Sequence, residues 1–343
     1  LTLFVEQRVL TGDDPYVFLR YAEELLRNGS IPSNDTLRYY PQGFNVNYEL
    51  HLVTWFIAGF AKLTGLQPID VAIWLPSIFA PLIVIPIFFM TRTLTNSTTA
   101  GIIAAFLSAA APAFIIRSFN GFCDKETFST PLMFAGLALA LLSFNKIITS
   151  TQERKRCIMI SIALAATSGV LIGIASLGWR GFLFTYLVLV AYASLTILFG
   201  KDVEDLSLIS TPYLIIIGVS TMFAGLLTIR YGGLGFFKSV TFLIPVGAAI
   251  PLLALRWIKK RYVIVLLIAS AATLIVLEYN YVASLVGWLL GSKGLVRSTV
   301  AESVMPSLGD VWNQVGLPLI IAVFALLPRS LKDARMRNNY LFM

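Results

Sequence analysis

Nine long apolar stretches follow one another along this chain, at 69–91, 99–116, 128–144, 158–177, 182–199, 208–229, 240–255, 263–277 and 311–327. A bilayer core about 30 Å thick needs ~20 apolar residues per helix, and only helices or closed barrels satisfy their backbone there. The fold class expected is therefore an all-α polytopic membrane protein, a multi-span helical bundle joined by long external loops. Composition agrees, with 13% charged residues against about 25% in soluble domains. A shorter apolar stretch, 50–63, carries His51 and Lys62. Runs of about 10–14 residues read as re-entrant or interfacial helices rather than spans.

Positive charge sets the orientation. Basic clusters stand at Arg154-Lys155-Arg156, at Arg256 with Lys259-Lys260-Arg261, and at Arg329, Lys332, Arg335 and Arg337. Four spans separate the first cluster from the second and two separate the second from the third. All three fall on one face, which the positive-inside rule makes cytoplasmic. The net charge of +8 is explained by these loops, and no nucleic-acid-binding motif accompanies it. The same parity places residues 117–127 and 278–310 outside. Asp13 and Asp14 join them provided that 50–63 does not cross. The expected location is the plasma membrane, multi-pass, with the polar segments on the external face.

The chain divides into three parts. Residues 1–68 hold the end of a truncated first span and a first external loop with amphipathic and re-entrant or interfacial helices. Residues 69–328 form the bundle, and 329–343 a basic cytoplasmic tail. Within the first part, Asp14-Pro15 reads as N-cap and first helical position. Tyr16 to Leu26 is amphipathic, and Asn28-Gly29 stops it. Residues 30–47 read as an ordered loop. Cys123 and Cys157 fall on opposite faces, so no bridge between them is expected. The single histidine, His51, argues against a His-rich metal site and a Ser-His-Asp mechanism. Gly169 and Gly173 make one GxxxG, a helix-packing signal.

Three acidic segments converge on the outer face. The first is Gly12-Asp13-Asp14-Pro15-Tyr16. The second, Arg117-Ser-Phe-Asn-Gly-Phe-Cys-Asp124-Lys-Glu126, lies between two apolar runs. The third is Thr299-Val300-Ala301-Glu302. Each has a local alternative. Asp14 and Asp124 can cap helices, Glu126 can stabilise a first turn, Arg117 can snorkel, and Thr-x-x-Glu is a capping box. Taken together, the carboxylates suit a hard divalent cation with oxygen ligands, Mg2+ or Mn2+. The lack of a Cys/His cluster argues against zinc.

At these residues the chain resembles the catalytic subunit of archaeal oligosaccharyltransferase, the AglB type, homologous to bacterial PglB and the eukaryotic catalytic subunit. Asp14-Pro15-Tyr16 matches the Asp-Pro-Trp/Tyr motif of the family's first external loop. Arg117 to Glu126 matches Arg-Ser-x-x-Gly-x-x-Asp-x-Glu, and Thr299 to Glu302 matches the third motif. The family's Trp-Trp-Asp-Tyr-Gly is not found, so its soluble C-terminal domain is expected to be missing. The resemblance implies a transmembrane fold of the lipid-linked glycosyltransferase type. It further implies transfer of an oligosaccharide from a polyprenyl (dolichyl) phosphate or diphosphate to asparagine in Asn-x-Ser/Thr. By the same resemblance Asp14, Asp124 and Glu126 hold Mn2+ or Mg2+. Asp14 and Glu302 bind and polarise the acceptor amide, Asp124 is counted with them as catalytic, and Arg117 supports the site. The implied partners are the lipid-linked oligosaccharide, the acceptor protein and membrane lipid. Two alternatives remain: another polyprenyl-phosphate-dependent glycosyltransferase, and a secondary transporter, which places its charges at mid-membrane.

Overall fold

The computed structural model describes residues 8–148, 154–199, 207–265 and 268–269. Among the described residues the first helix is α1 (Asp14–Asn28), which ends at Gly29, whose φ of 74° lets its N–H reach the Leu25 carbonyl. That is a glycine C-cap. The helix begins one residue earlier than the sequence predicts. Asp13 is the N-cap, without a side-chain cap bond, and Asp14 is already helical. The Asp14 carboxylate is turned instead toward Lys125. Phe18, Leu19 and Ala22 recur at helical spacing and are buried against α2 (Leu52–Thr64).

The loop between these helices holds a two-strand pair, β1 (Asn34–Asp35) antiparallel to β2 (Phe44–Asn45), with Asn34 opposite Asn45. Its clasp is polar. Asp35 is buried and accepts from Arg20, from the Tyr21 hydroxyl at 2.8 Å and from the Leu37 N–H at 3.0 Å. Arg38 joins Tyr21 to Glu49. Burial opposes ionisation of Asp35, but the bonds from Arg20 and Tyr21 outweigh it and hold the carboxyl below its ordinary range.

The bundle follows. Helices α3 (Pro68–Phe79) and α4 (Val84–Thr95) are joined by a 3-10 turn, Ala80–Ile83, into one apolar rod. Then come α5 (Thr98–Ala109), α6 (Pro112–Ile116), α7 (Lys125–Ile148) and α8 (Arg154–Ser176). A 3-10 turn (Arg180–Phe182) leads into α9 (Leu183–Phe199), followed by α10 (Ser210–Leu226) and α11 (Val240–Ala254); residues 260–265 are helical as well. Among the described residues four segments are long and apolar enough to cross a membrane: Pro68–Thr95, Lys125–Ile148, Arg154–Ser176 and Arg180–Phe199. Exposed Ile102, Phe106, Leu187 and Met222 suit a lipid-facing surface, since burying apolar side chains in hydrocarbon removes them from water.

Two predicted spans differ. The stretch 99–116 is interrupted, because Ala111 is extended ahead of Pro112; proline disfavours helical geometry in the residue before it. Helices α10 and α11 hold 17 and 15 residues, shorter than the predicted 208–229 and comparable with 240–255. Most of 263–277, and all of 278–310, 311–327 and 329–343, lie outside the described residues.

Helices α7, α8 and α10 form the tightest contact. A Cβ at Gly169 would stand 2.8 Å from Val219 and 3.0 Å from the Ile216 carbonyl, and one at Gly173 would meet Phe223 at 2.7 Å. The GxxxG is thus where α10 lies against α8. Between α7 and α8, Ser143 and Ser161 each donate to the other's carbonyl, at 2.7 and 2.9 Å, and Ser168 donates to Gly136 O at 2.7 Å. Small residues and buried hydroxyls hold helices together where apolar contact alone discriminates little.

Candidate active site

The segment from α6 to α7 brings Asp124 and Glu126 to the end of the bundle. Gly121 turns the chain at φ 87°, a region that side-chain-bearing residues avoid. Two backbone bonds fix it: Thr11 N–H donates to Gly121 O at 2.8 Å, and Gly121 N–H donates to Ile73 O at 3.0 Å. Ser77 Oγ donates to the neighbouring Asn120 side chain. Thr127 Oγ1 donates to Arg117 O at 2.7 Å, closing the far side. Residues on three separate segments are thereby held in one register, with buried Cys123 and Phe128 beneath them.

Asp124 follows Gly121 and precedes α7. Its Oδ1 accepts the Lys125 N–H at 2.7 Å, and its carbonyl accepts the Thr127 N–H at 3.2 Å. The helix-start role therefore exists, and Glu126 sits in the first turn as an acidic residue there should. It does not use all the oxygens. Asp124 Oδ2 faces Arg117 Nη1 at 3.8 Å, and the Arg117 guanidinium lies 5.4 Å from the Phe122 ring centre. Glu126 Oε2 is buried and has no hydrogen-bond partner.

Lys125 connects the two acidic segments. Its Nζ is 2.6 Å from Asp14 Oδ2 and 3.6 Å from Asp124 Oδ1. Asp14 is 56% exposed and Asp124 5%, so one carboxylate faces outward and the other is enclosed. The structure brings Asp14 and Asp124 to one ammonium rather than to each other. Among the described residues no three His, Cys, Asp or Glu side chains stand close enough to share a metal ion. Arg117, Asp14, Asp124 and Glu126 thus lie in one neighbourhood. Glu302 and the rest of Thr299–Glu302 lie outside the described residues.

Lys125 was not singled out from sequence. Its position between Asp124 and Glu126 signals local neutralisation, but its reach to Asp14 spans 111 positions. His51 is also informative. Its Nε2 hydrogen-bonds Val46 O at 3.1 Å, while Nδ1 is buried without a partner. Burial, more than the opposing Val46 bond and Glu49 charge, lowers its pKa and favours the neutral ring. With Asn47, Glu49, Trp55 and Leu226 it lines a cavity of about 270 Å3.

Comparison with known proteins adds to this geometry. The family model described as "Oligosaccharyl transferase STT3, N-terminal" matches residues 2–335. A dolichyl-phosphooligosaccharide-protein glycotransferase of Methanococcus voltae is 29% identical over 140 residues, 36% of this chain and 15% of that protein. Glycotransferase 3 of the same description, from Archaeoglobus fulgidus, is 27% identical over 261 residues, 73% of this chain and 30% of that protein. The solved structure of archaeal oligosaccharyltransferase AglB from Archaeoglobus fulgidus, in complex with an inhibitory peptide and a dolichol-phosphate, superposes with a TM-score of 0.77 at 19% identity. It covers 98% of this chain and 42% of AglB. At that identity the likeness shows the fold, a helical membrane domain of the AglB kind. The chain spans less than half the length of each of these relatives.

Proposed function

We propose, from the premise that this chain belongs to the oligosaccharyl transferase STT3 family, that it serves an N-glycosylating oligosaccharyltransferase. The reaction proposed moves an oligosaccharide from a polyprenyl (dolichyl) phosphate or diphosphate to asparagine in Asn-x-Ser/Thr, at the external face of the plasma membrane. The observation that carries the reading is the meeting of Asp14 with Arg117, Asp124 and Glu126 around Lys125. Two loops far apart in sequence place carboxylates of opposite exposure at the end of one helical bundle. A site buried at mid-membrane, as a transporter needs, is not what this arrangement offers.

The donor chemistry fits a hard divalent cation. The candidate ligands Asp14, Asp124 and Glu126 offer only oxygens, which Mn2+ and Mg2+ prefer, and Glu126 Oε2 is buried with no partner. In the present arrangement the Lys125 ammonium supplies the positive charge that such an ion would bring. When bound there, a divalent cation supplies charge neutralisation for the lipid phosphate as it leaves. The chain's own groups have separate tasks. Asp14, the exposed carboxylate, and Glu302 bind the acceptor amide through its N–H groups and orient its nitrogen. Arg117 holds Asp124 in place from 3.8 Å.

The test uses the full reading frame in membranes with its native lipid-linked glycans, and follows a fluorescent Asn-x-Thr peptide for a mobility shift. A shift that requires asparagine and is abolished by EDTA supports the reading. No shift, with the lipid-linked glycan demonstrably present, would assign the site to a transferase with a different acceptor.

A further inference from the structure

The chain carries three Asn-x-Ser/Thr triplets of its own: Asn28-Gly29-Ser30, Asn34-Asp35-Thr36 and Asn96-Ser97-Thr98. Such a triplet is the acceptor pattern for an N-linked glycan, and the fold presents the three differently. The first ends α1. Asn28, Gly29 and Ser30 are all exposed, as are Leu26 and Arg27 before them, so the segment has room for a bulky substituent. Gly29 takes φ 74°, which turns Ser30 out of the helical path. Asn28 Nδ2 donates to Glu24 Oε2 at 2.7 Å. That is a surface bond one turn back along the helix, of a kind that adds little stability and leaves the amide easy to release.

The other two triplets are held back. Asn34 pairs with Asn45 across the two-strand sheet, and its amide lies 2.7 Å from where a Cβ on Gly43 would stand. The middle residue, Asp35, is buried beneath Arg20 and Tyr21. Asn96 lies at the other end of the bundle. Gly121 N–H donates to Ile73 O, which sets the start of α3 level with the carboxylates. From there the rod Pro68–Thr95 runs roughly 33 Å further at 1.5 Å per residue, about the thickness of a bilayer core. Ser97 is also engaged, since its Oγ accepts the Ala100 N–H and caps α5.

Asn28 is on the carboxylate side but out of reach of its own copy's cluster. Helix α1 starts with Asp14 against Lys125 and is fixed by the burial of Phe18, Leu19 and Ala22. Along that helix Asn28 stands roughly 21 Å from Asp14. A sugar activated at one cluster therefore meets the Asn28 of another molecule. We infer that Asn28 is an N-glycosylation site of this protein, modified by a second copy of the same enzyme. The inference rests on the transferase reading and names the chain itself as one of its acceptors. In the step, Asn28 Nδ2 bonds to C1 of the donor sugar. The bond from C1 to the lipid phosphate oxygen breaks, its electron pair leaves with the phosphate, and one Nδ2 proton is lost to solvent.

The test reads the full-length protein, purified from its native membranes, by mass spectrometry of its proteolytic peptides. The mass of the linked oligosaccharide is expected on the Asn28 peptide, absent from the Asn96 peptide, and lost in the Asn28→Gln variant. A fluorescent Asn-x-Thr peptide in the same membranes is the control. A bare Asn28 beside a glycosylated peptide overturns this inference and leaves the transferase reading standing. A bare Asn28 with an unmodified peptide removes both. A second measurement asks which copy acts, using an epitope-tagged Asp124→Asn/Glu126→Gln copy that is folded by circular dichroism and inactive toward the peptide. It should carry no glycan at Asn28 when it is the only copy, and gain one beside an untagged active copy. A glycan on the lone inactive copy would assign the modification to another enzyme. A tagged copy left bare beside the active one would overturn modification between copies.

Discussion

Lys125 decides how the acidic residues of the site coexist. Asp124 is enclosed, Glu126 Oε2 is buried without a partner, and Asp14 approaches from the first loop. Neighbouring carboxylates in a partly buried place repel unless a cation stands near them. Lys125→Met removes the internal cation, so Mn2+ should raise the thermal midpoint of this variant more than that of the wild type. An equal or smaller rise would show that Lys125 does not compete with a metal. Asp124→Asn and Glu126→Gln should each reduce peptide glycosylation by 10²-fold or more, the usual scale for losing an electrostatic group at a reacting centre. Circular dichroism should remain unchanged. Glu302→Gln should mainly raise the peptide KM, and activity retained in all three carboxylate variants would refute the assignment. At this scale the sequence was informative about chemistry and silent about pairing. The spacing of Asp124 and Glu126 at an apolar boundary marks them as a unit, and the resemblance names Asp14. Nothing local tells that a lysine between two acids bonds a third acid in another loop.

Among the elements, the close contact of α8 with α10 rests on glycine. Gly169 lies under the Ile216 carbonyl, a backbone atom that cannot rotate away. Gly169→Leu is therefore expected to cost about 1–3 kcal/mol by overpacking, visible as a lower thermal midpoint in detergent. Gly218, with nothing within 4 Å of an added Cβ, should tolerate alanine, which provides the control. The GxxxG spacing foretold a close approach but not the partner helix. Span boundaries were readable where apolar length coincides with helix length, as at 182–199, observed as Leu183–Phe199, and at 240–255, observed as Val240–Ala254. They misled at 99–116, where hydropathy is continuous but Pro112 imposes an extended residue before it. Hydropathy averages over the backbone geometry that proline dictates.

Across the described residues, a polar layer rests on one end of an apolar bundle, and the two are held by different interactions. The bundle depends on side-chain fit, whereas the loop at 30–49 depends on the Arg20–Asp35–Tyr21 clasp. Because the folded Asp35 pKa is lowered, its stabilisation is complete above the ordinary carboxylate range. It is lost as pH falls through the lower folded value. Limited proteolysis should leave residues 30–49 intact at mildly acidic pH and open them in stronger acid. Asp35→Asn should weaken the loop by roughly 1.5–3 kcal/mol, the scale of hydrogen bonds to a charged group, and should flatten that pH response. An acid response equal to the wild type's in the variant would place the titrating group elsewhere.

The two backbone bonds through Gly121 also act as a ruler. Thr11 precedes Asp14 by three positions, and Gly121 precedes Asp124 by the same three. Each acid therefore hangs on a tether of equal count from a shared knot. Main-chain bonds impose no demand of their own on side-chain identity, although the buried Ile73 is held apolar by the core around it. The tethers themselves are not free to vary in number. One residue gained or lost on either tether moves a carboxylate by up to roughly 3.3–3.6 Å, farther than the 2.6 Å that separates Lys125 from Asp14. Length, more than composition, is what these short connections conserve mechanically.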